Sequence, residues 1–123
     1  PAWAIAIDTI STDDVYSTPT RALGKGPVLS MKDASMLSNK CINDWVKDIG
    51  RKNDIPLQYG VSEYGVTDAL TISFSRGGIP ATSISVAVRN IHTVVGMANV
   101  KDIENTIKLL ELLLKKPPLA CLV

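Results

Sequence analysis

Alanine alternates with larger apolar side chains along AWAIAID, residues 2–8, and a period of two is the signature of a strand. The stretch reads as a strand buried on both faces that ends at an acid, Asp8. Residues 9–26 then turn to Ser, Thr, Asp and Gly, a long loop of the kind that often carries function in compact domains. PVLSM (27–31) predicts a short strand. From 33 to 50 the period becomes helical: Leu37, Cys41, Ile42, Trp45 and Ile49 make one apolar stripe, with Asp33 as N-cap and Gly50 as stop. IPLQYGVS (55–62) is an extended segment entered through a proline. TDALTISFSRGG (67–78) predicts a helix opened by a Thr67–Asp68 capping pair and closed by two glycines. ATSISVAV (81–88) is a strand. The most regular helix spans 99–116: Asn99 caps it, acids lie early, lysines close it, and Pro117 and Pro118 stop it. Its predicted buried face is Ile103, Ile107, Leu110 and Leu114.

The order β–β–α–β–α–β–α predicts an α/β fold of three layers, with a mixed or largely parallel sheet of about four strands flanked by three helices. Residues 1–116 form the domain and 117–123 a tail. Ligands of such sheets gather at strand ends, and two candidate groups sit there. One is Asp8. The other is His92, the only histidine of the chain, in ISVAVRNIHTVVG.

Composition narrows the partners. The 123 residues are 46% hydrophobic and 20% charged, with a net charge of +1, so the chain is globular and has no basic surface dedicated to nucleic acid. No apolar run approaches the ~18–20 residues of a membrane span. The N-terminal stretch lacks the basic flank of a leader. Two cysteines, Cys41 and Cys121, match no zinc or redox spacing and read as free thiols in a reducing, cytoplasmic setting.

From position alone, Asp8 either caps the following turn or binds a metal, and His92 is either a loop histidine or a ligand. GKG (24–26) lacks the phosphate-loop pattern and reads as a turn. There is no nucleophile elbow, no His-Glu-x-x-His and no dinucleotide fingerprint.

Four segments in order, AIAIDTISTDD…LGKGP, IPLQYGVSEYGVTDA, RGGIPATSISVAVRNIHT and VKDIENTIKLL, give the chain a specific likeness. It resembles the C-terminal part of the catalytic domain of the tetrahedral and glutamyl aminopeptidases, cytosolic dinuclear zinc peptidases, some of which carry an endoglucanase label. The resemblance implies that Asp8 and His92 each bind a different metal of the pair, most naturally zinc, with cobalt or manganese as alternatives. It places Gly65, Thr67 and Asp68, within the counterpart of the family's Gly-Gly-Thr-Asp-Ala element, near the active site. It gives Arg89 a role behind the metal histidine or against substrate.

The remaining ligands and the glutamate base of that family lie upstream of the Asp8 strand and have no counterpart here, nor does its inserted dimerisation domain. Val66 stands in place of a glycine and Gly96 where the family usually carries Glu. No catalytic base is therefore expected within these residues. The implied reading is a C-terminal fragment of an aminopeptidase that acts on peptides, inactive and essentially metal-free by itself, in a homo-oligomer, without nucleic acid or membrane. The alternative is a degenerate, non-catalytic module kept for assembly or interaction.

Overall fold

A computed structural model describes residues 1–15 and 18–122. Tyr16 and Ser17 of the predicted loop and Val123 of the tail lie outside the described residues. The elements are β1 (Ala4–Ser11), β2 (Val28–Lys32), α1 (Lys40–Lys52), β3 (Gln58–Val61), α2 (Asp68–Ser73), β4 (Ala81–Arg89), β5 (Met97–Ala98) and α3 (Val100–Lys115), with short 3-10 turns at Ser75–Gly77 and Leu119–Cys121. The sheet is mixed and has the order β1-β4-β2-β3, with β5 added to β4. β1 runs parallel to β4 and β2 parallel to β3, while β2 and β4 are antiparallel. The α/β class and three helices match expectation. The fifth strand, two residues long, carries too little sequence to show a period.

β4 is the central strand because its residues suit burial on both faces: Ala81 to Ser85 are all buried. Ile84 meets Leu29, Val46, Ile49, Leu109 and Leu113 in one core beneath α1 and α3. Each such side chain contributes roughly 1.5–3 kcal/mol by leaving water. Within this core Asn43 donates to the Ser30 carbonyl at 3.0 Å and accepts from the Thr82 hydroxyl at 2.6 Å, tying α1 to β2 and β4 with every polar atom of the contact used.

Several boundaries differ from those read in the sequence. β1 does not stop at Asp8. It pairs with β4 as far as Ser11↔Val88, and Asp8 is exposed in mid-strand, so the strand is not buried on both faces. α1 starts seven residues later than predicted. Asn39 is its N-cap and accepts from the Ile42 amide at 3.0 Å. Asp33 instead closes a tight turn, accepting from the amides of Ser35 and Met36, both at 2.9 Å. Leu37 consequently lies outside the helix, 76% exposed. The predicted helix 67–78 breaks after Ser73, where Arg76 takes φ 49° and Gly77 and Gly78 follow at positive φ.

α3 keeps its Asn99 cap, which accepts from the Lys101 amide at 2.8 Å, but it is rotated from the predicted face. Asp102, Thr106, Leu109 and Leu113 are buried, while Ile103, Ile107 and Leu114 are exposed and Leu110 half-buried. The cause is a buried carboxylate. Asp102 accepts the amides of Gly24 and Gly26, each at 2.8 Å, and Gln58 binds the same loop from the other side through Ala22 and Gly26. The GKG segment is thus a turn whose amides take an anion from their own chain. Gly26 is required there: its φ is +92° and a Cβ would lie 2.2 Å from the Pro56 carbonyl oxygen.

The cysteines also depart from expectation. Cys41 and Cys121 form a disulfide, and no free cysteine remains among the described residues. Eighty residues separate them, a distance at which spacing says nothing about pairing.

The rotated face of α3 is checked by paired substitutions. Leu109→Ala is expected to cost about 2–5 kcal/mol of unfolding free energy as a core truncation, and Ile107→Ala, on the exposed face, less than about 1 kcal/mol. Urea denaturation of both variants measures the difference, and equal losses would contradict the orientation.

Candidate active-site cleft

Side chains alternate along each strand, and the β1–β4 register uses that alternation to make two surfaces. Ile5 packs toward the core. Asp8, of opposite parity, stands beside Ser85 of β4 and lines a cleft of about 660 Å³ together with Ser83, Thr67, Gly65 and His92. Asp8 Oδ1 accepts the adjacent Thr9 amide at 2.7 Å. No other partner holds this carboxylate among the described residues, so an oxygen remains open to the cleft.

His92 reaches the same cleft from the connection between β4 and β5. That connection is pinned at its base by the Arg89↔Met97 pairing. Inside it the Thr93 hydroxyl donates to the Asn90 carbonyl at 2.6 Å and accepts the Val95 amide at 3.2 Å. Asn90 and His92 both take left-handed backbone, at φ 55° and 61°. Asparagine tolerates this region, whereas for histidine it costs on the order of 1 kcal/mol or more. The cost is met by the hairpin closure, and it turns the imidazole over the cleft.

Gly65 and Thr67 also line the cleft, whereas Asp68 and Arg89 do not. Asp68 is an exposed first-turn residue of α2. Arg89 donates to Asp14 at 2.6 Å. That hydrogen bond holds the Asp14 carboxyl below its ordinary range, outweighing a smaller desolvation effect, with the Arg89 charge adding to it. Thr67 precedes α2 but its hydroxyl makes no capping bond. Its Oγ1 is buried and has no hydrogen-bond partner among the described residues. Gly65 takes φ 81°, so the left-handed position of this turn is one residue before Val66, and the valine is no obstacle to it.

Asp13, not singled out in the sequence, organises the cleft's outer wall. It accepts the Thr20 amide and hydroxyl at 3.0 and 2.9 Å and the Arg21 amide at 2.6 Å. Burial by itself would raise the Asp13 pKa. The Thr20 and Arg21 amides, the Thr20 hydroxyl and the Arg21 charge outweigh burial and lower it. Arg21 in turn donates to the carbonyls of Ser11 and Val61, tying β1 to β3. The available signal was an acidic pair, Asp13-Asp14, facing Thr20-Arg21 across one loop.

No group of three or more His, Cys, Asp or Glu side chains that could hold a metal ion occurs among the described residues. Asp8 and His92 offer one carboxylate and one imidazole, both suited to zinc, whereas a catalytic zinc usually takes three protein ligands. The residues present fit part of a metal site.

The mixed α/β sheet thus brings a carboxylate in mid-strand and a histidine past the neighbouring strand's exit to one cleft. The profile of the M42 glutamyl aminopeptidases matches residues 1–109, and the chain belongs to that family. It is 34% identical over 112 residues to a putative aminopeptidase of Acetivibrio thermocellus, covering 89% of this chain and 34% of that protein. The TET aminopeptidase of a marine sediment thaumarchaeon superposes with a TM-score of 0.88 at 34% identity, covering 94% of this chain and 33% of that one. The TET1 peptidase of Pyrococcus horikoshii, which can assemble into a tetrahedron or a large octahedral shell, matches with a TM-score of 0.76 at 33% identity, over 92% and 33% of the two chains. The chain spans about a third of the length of these relatives.

Because the folded-state pKa of Asp13 is lowered, its stabilisation is full above the ordinary carboxylate value near 4 and is lost as pH falls through the folded value. Asp13→Asn is therefore expected to cost about 1–3 kcal/mol at pH 7 and progressively less below pH 4. Denaturation midpoints of both proteins between pH 7 and 3 test this; a gap that stays constant with pH would refute it.

Proposed function

We propose that this chain is the C-terminal part of a dinuclear metal aminopeptidase site, in which Asp8 and His92 each serve one of two divalent ions, most naturally zinc. The observation that carries the reading is the convergence of Asp8 and His92, from separate elements, on one cleft. Such ions, when bound, stabilise charge on a scissile carbonyl and activate water at neutral pH. The chain's own part is to hold the carboxylate on a rigid strand, to aim the imidazole through a closed hairpin, and to line the cleft with Gly65 and Thr67. The base and the other ligands are supplied by the upstream part of the intact enzyme, which removes N-terminal residues from peptides. The isolated chain is inactive. Assembly into a homo-oligomer is supported by the TET1 shells and by the exposed Ile103, Ile107 and Leu114 of α3.

The second reading, a non-catalytic module, rests on Gly96, where the family carries Glu. Sterics do not force that glycine: a Cβ there would meet Val88 Cγ1 at an ordinary 3.6 Å. Val66 no longer favours this reading, since the turn places its left-handed residue at Gly65.

With two ligands and no third, zinc is expected to bind the isolated chain with a dissociation constant no tighter than about 10 μM. Asp8→Ala and His92→Ala remove the residual binding. Calorimetric titration decides it: tight one-to-one or two-to-one binding would overturn the split-site reading, and residual binding unaffected by both substitutions would remove Asp8 and His92 from it.

A further inference from the structure

The Cys41–Cys121 pair lies apart from the cleft and outside anything the aminopeptidase reading explains. The family profile matches residues 1–109, and Cys121 lies beyond that match. Cys41 is the second residue of α1 and is exposed; Cys121 ends the 3-10 turn Leu119–Cys121 and is half-buried. Their Cα atoms are 5.6 Å apart, within the ordinary span of a disulfide. They are the two cysteines of these 123 residues.

Little else fixes the tail. Pro118 is buried, and Trp45 Nε1 of α1 donates to the Lys116 carbonyl at 2.8 Å. The remaining backbone bonds of the turn are local: Leu119 to Pro117 at 2.9 Å, Cys121 to Pro118 at 2.9 Å and Leu122 to Leu119 at 3.3 Å. They shape the turn and do not attach it to α1. A segment held by so few contacts opens readily unless it is tied down. Trp45 also meets Trp3 edge-on, with centroids 5.3 Å apart. One indole therefore touches both the residue that leads into β1 and the root of the tail.

We propose that Cys41–Cys121 is a reversible redox modification site whose partner is a dithiol, and that its state decides whether the tail is docked on α1. A thiolate of the dithiol attacks the sulfur of Cys41, the more exposed of the two residues, forming a mixed disulfide and releasing Cys121 as a thiolate that takes up a proton. The second thiol of the reductant then attacks its own sulfur in that mixed disulfide. Cys41 leaves as a thiolate, is protonated, and the reductant departs as a cyclic disulfide. Two electrons pass to the protein and the dithiol is oxidised. In a reducing cytosol the open form prevails; in an oxidising compartment the closed form does. The position of Cys41 at an exposed helix start favours access in either direction.

The experiment compares the full chain after air oxidation and after treatment with dithiothreitol, alongside Cys41→Ser and Cys121→Ser. Thiol counting in denaturant is expected to give none in the oxidised protein and two after reduction, with the oxidised species monomeric on a non-reducing gel. Hydrogen exchange at residues 119–122 is expected to speed at least ~10-fold on reduction and to stay faster than at the β1 and β4 amides, which open only with the whole fold. The melting temperature is expected to fall by roughly 10 °C, because the bond closes a loop of about 80 residues. Both serine variants are expected to behave as the reduced protein and to ignore the reductant. Two free thiols in the oxidised sample, a disulfide-linked dimer, or equal tail exchange in the two states would each overturn the proposal. None of these readouts involves metal or peptidase activity, so they stand or fall apart from the aminopeptidase reading.

Discussion

The parallel ladder between β1 and β4 is the constraint on which the site depends. Eight consecutive pairs, from Ala4↔Ala81 to Ser11↔Val88, fix which residues of β1 face the helices and which face the cleft. A slip of one residue would exchange the two sets, turning Asp8 into the core and Ile7 toward the cleft. The register is set by chemistry on both sides. Ile5 and Ile84 pack with Leu29 and Leu109, while Ser83 and Ser85 of β4 line the cleft with Asp8. The same strand that fixes Asp8 runs on into the hairpin that carries His92. One ladder therefore sets the placement of both candidate ligands.

Where the sequence misled, a polar group had outweighed apolar period. On α3 the pattern Ile103, Ile107, Leu110, Leu114 is as regular as a buried stripe can be, yet the helix turns Asp102 inward. A carboxylate receiving two loop amides is stable in the interior only if those amides are there. They come from Gly24 and Gly26, more than seventy residues away in sequence. Periodicity registers how often apolar residues recur, not which distant donors will arrive. Asp33 shows the same effect at short range. It has the right type for an N-cap, but two nearer amides claim it, and Asn39 takes the helix.

The site itself was half legible. Asp8 and His92 could be singled out because each is a chemically distinctive residue beside an apolar strand, and both face the cleft. Their immediate settings could not be read. The strand runs three residues beyond Asp8, and the imidazole is carried on left-handed backbone that no residue type at position 92 announces. Thr67 was legible as a cap by type, but its hydroxyl makes no cap bond and is buried without a partner among the described residues. Arg89 has the family's place in sequence and spends its charge on Asp14, outside the cleft. Asp13 drew no notice, because its role depends on Thr20 and Arg21 folding back across a loop.

The cleft and the tail thus follow different physical logics. The cleft rests on long-range strand pairing and on buried hydrogen bonds such as Thr82–Asn43, which do not depend on the redox state of the surroundings. The tail rests on one covalent bond between an exposed helix start and a short terminal turn, and that bond depends on the redox poise outside the protein. Trp45 is the point at which the two meet, touching Trp3 ahead of β1 and Lys116 at the root of the tail. Loosening the tail relaxes one face of this indole and leaves the β1–β4 ladder in place. A change of redox state is in that way confined to the rim of the fold, and the surface that bears Asp8 and His92 keeps its geometry.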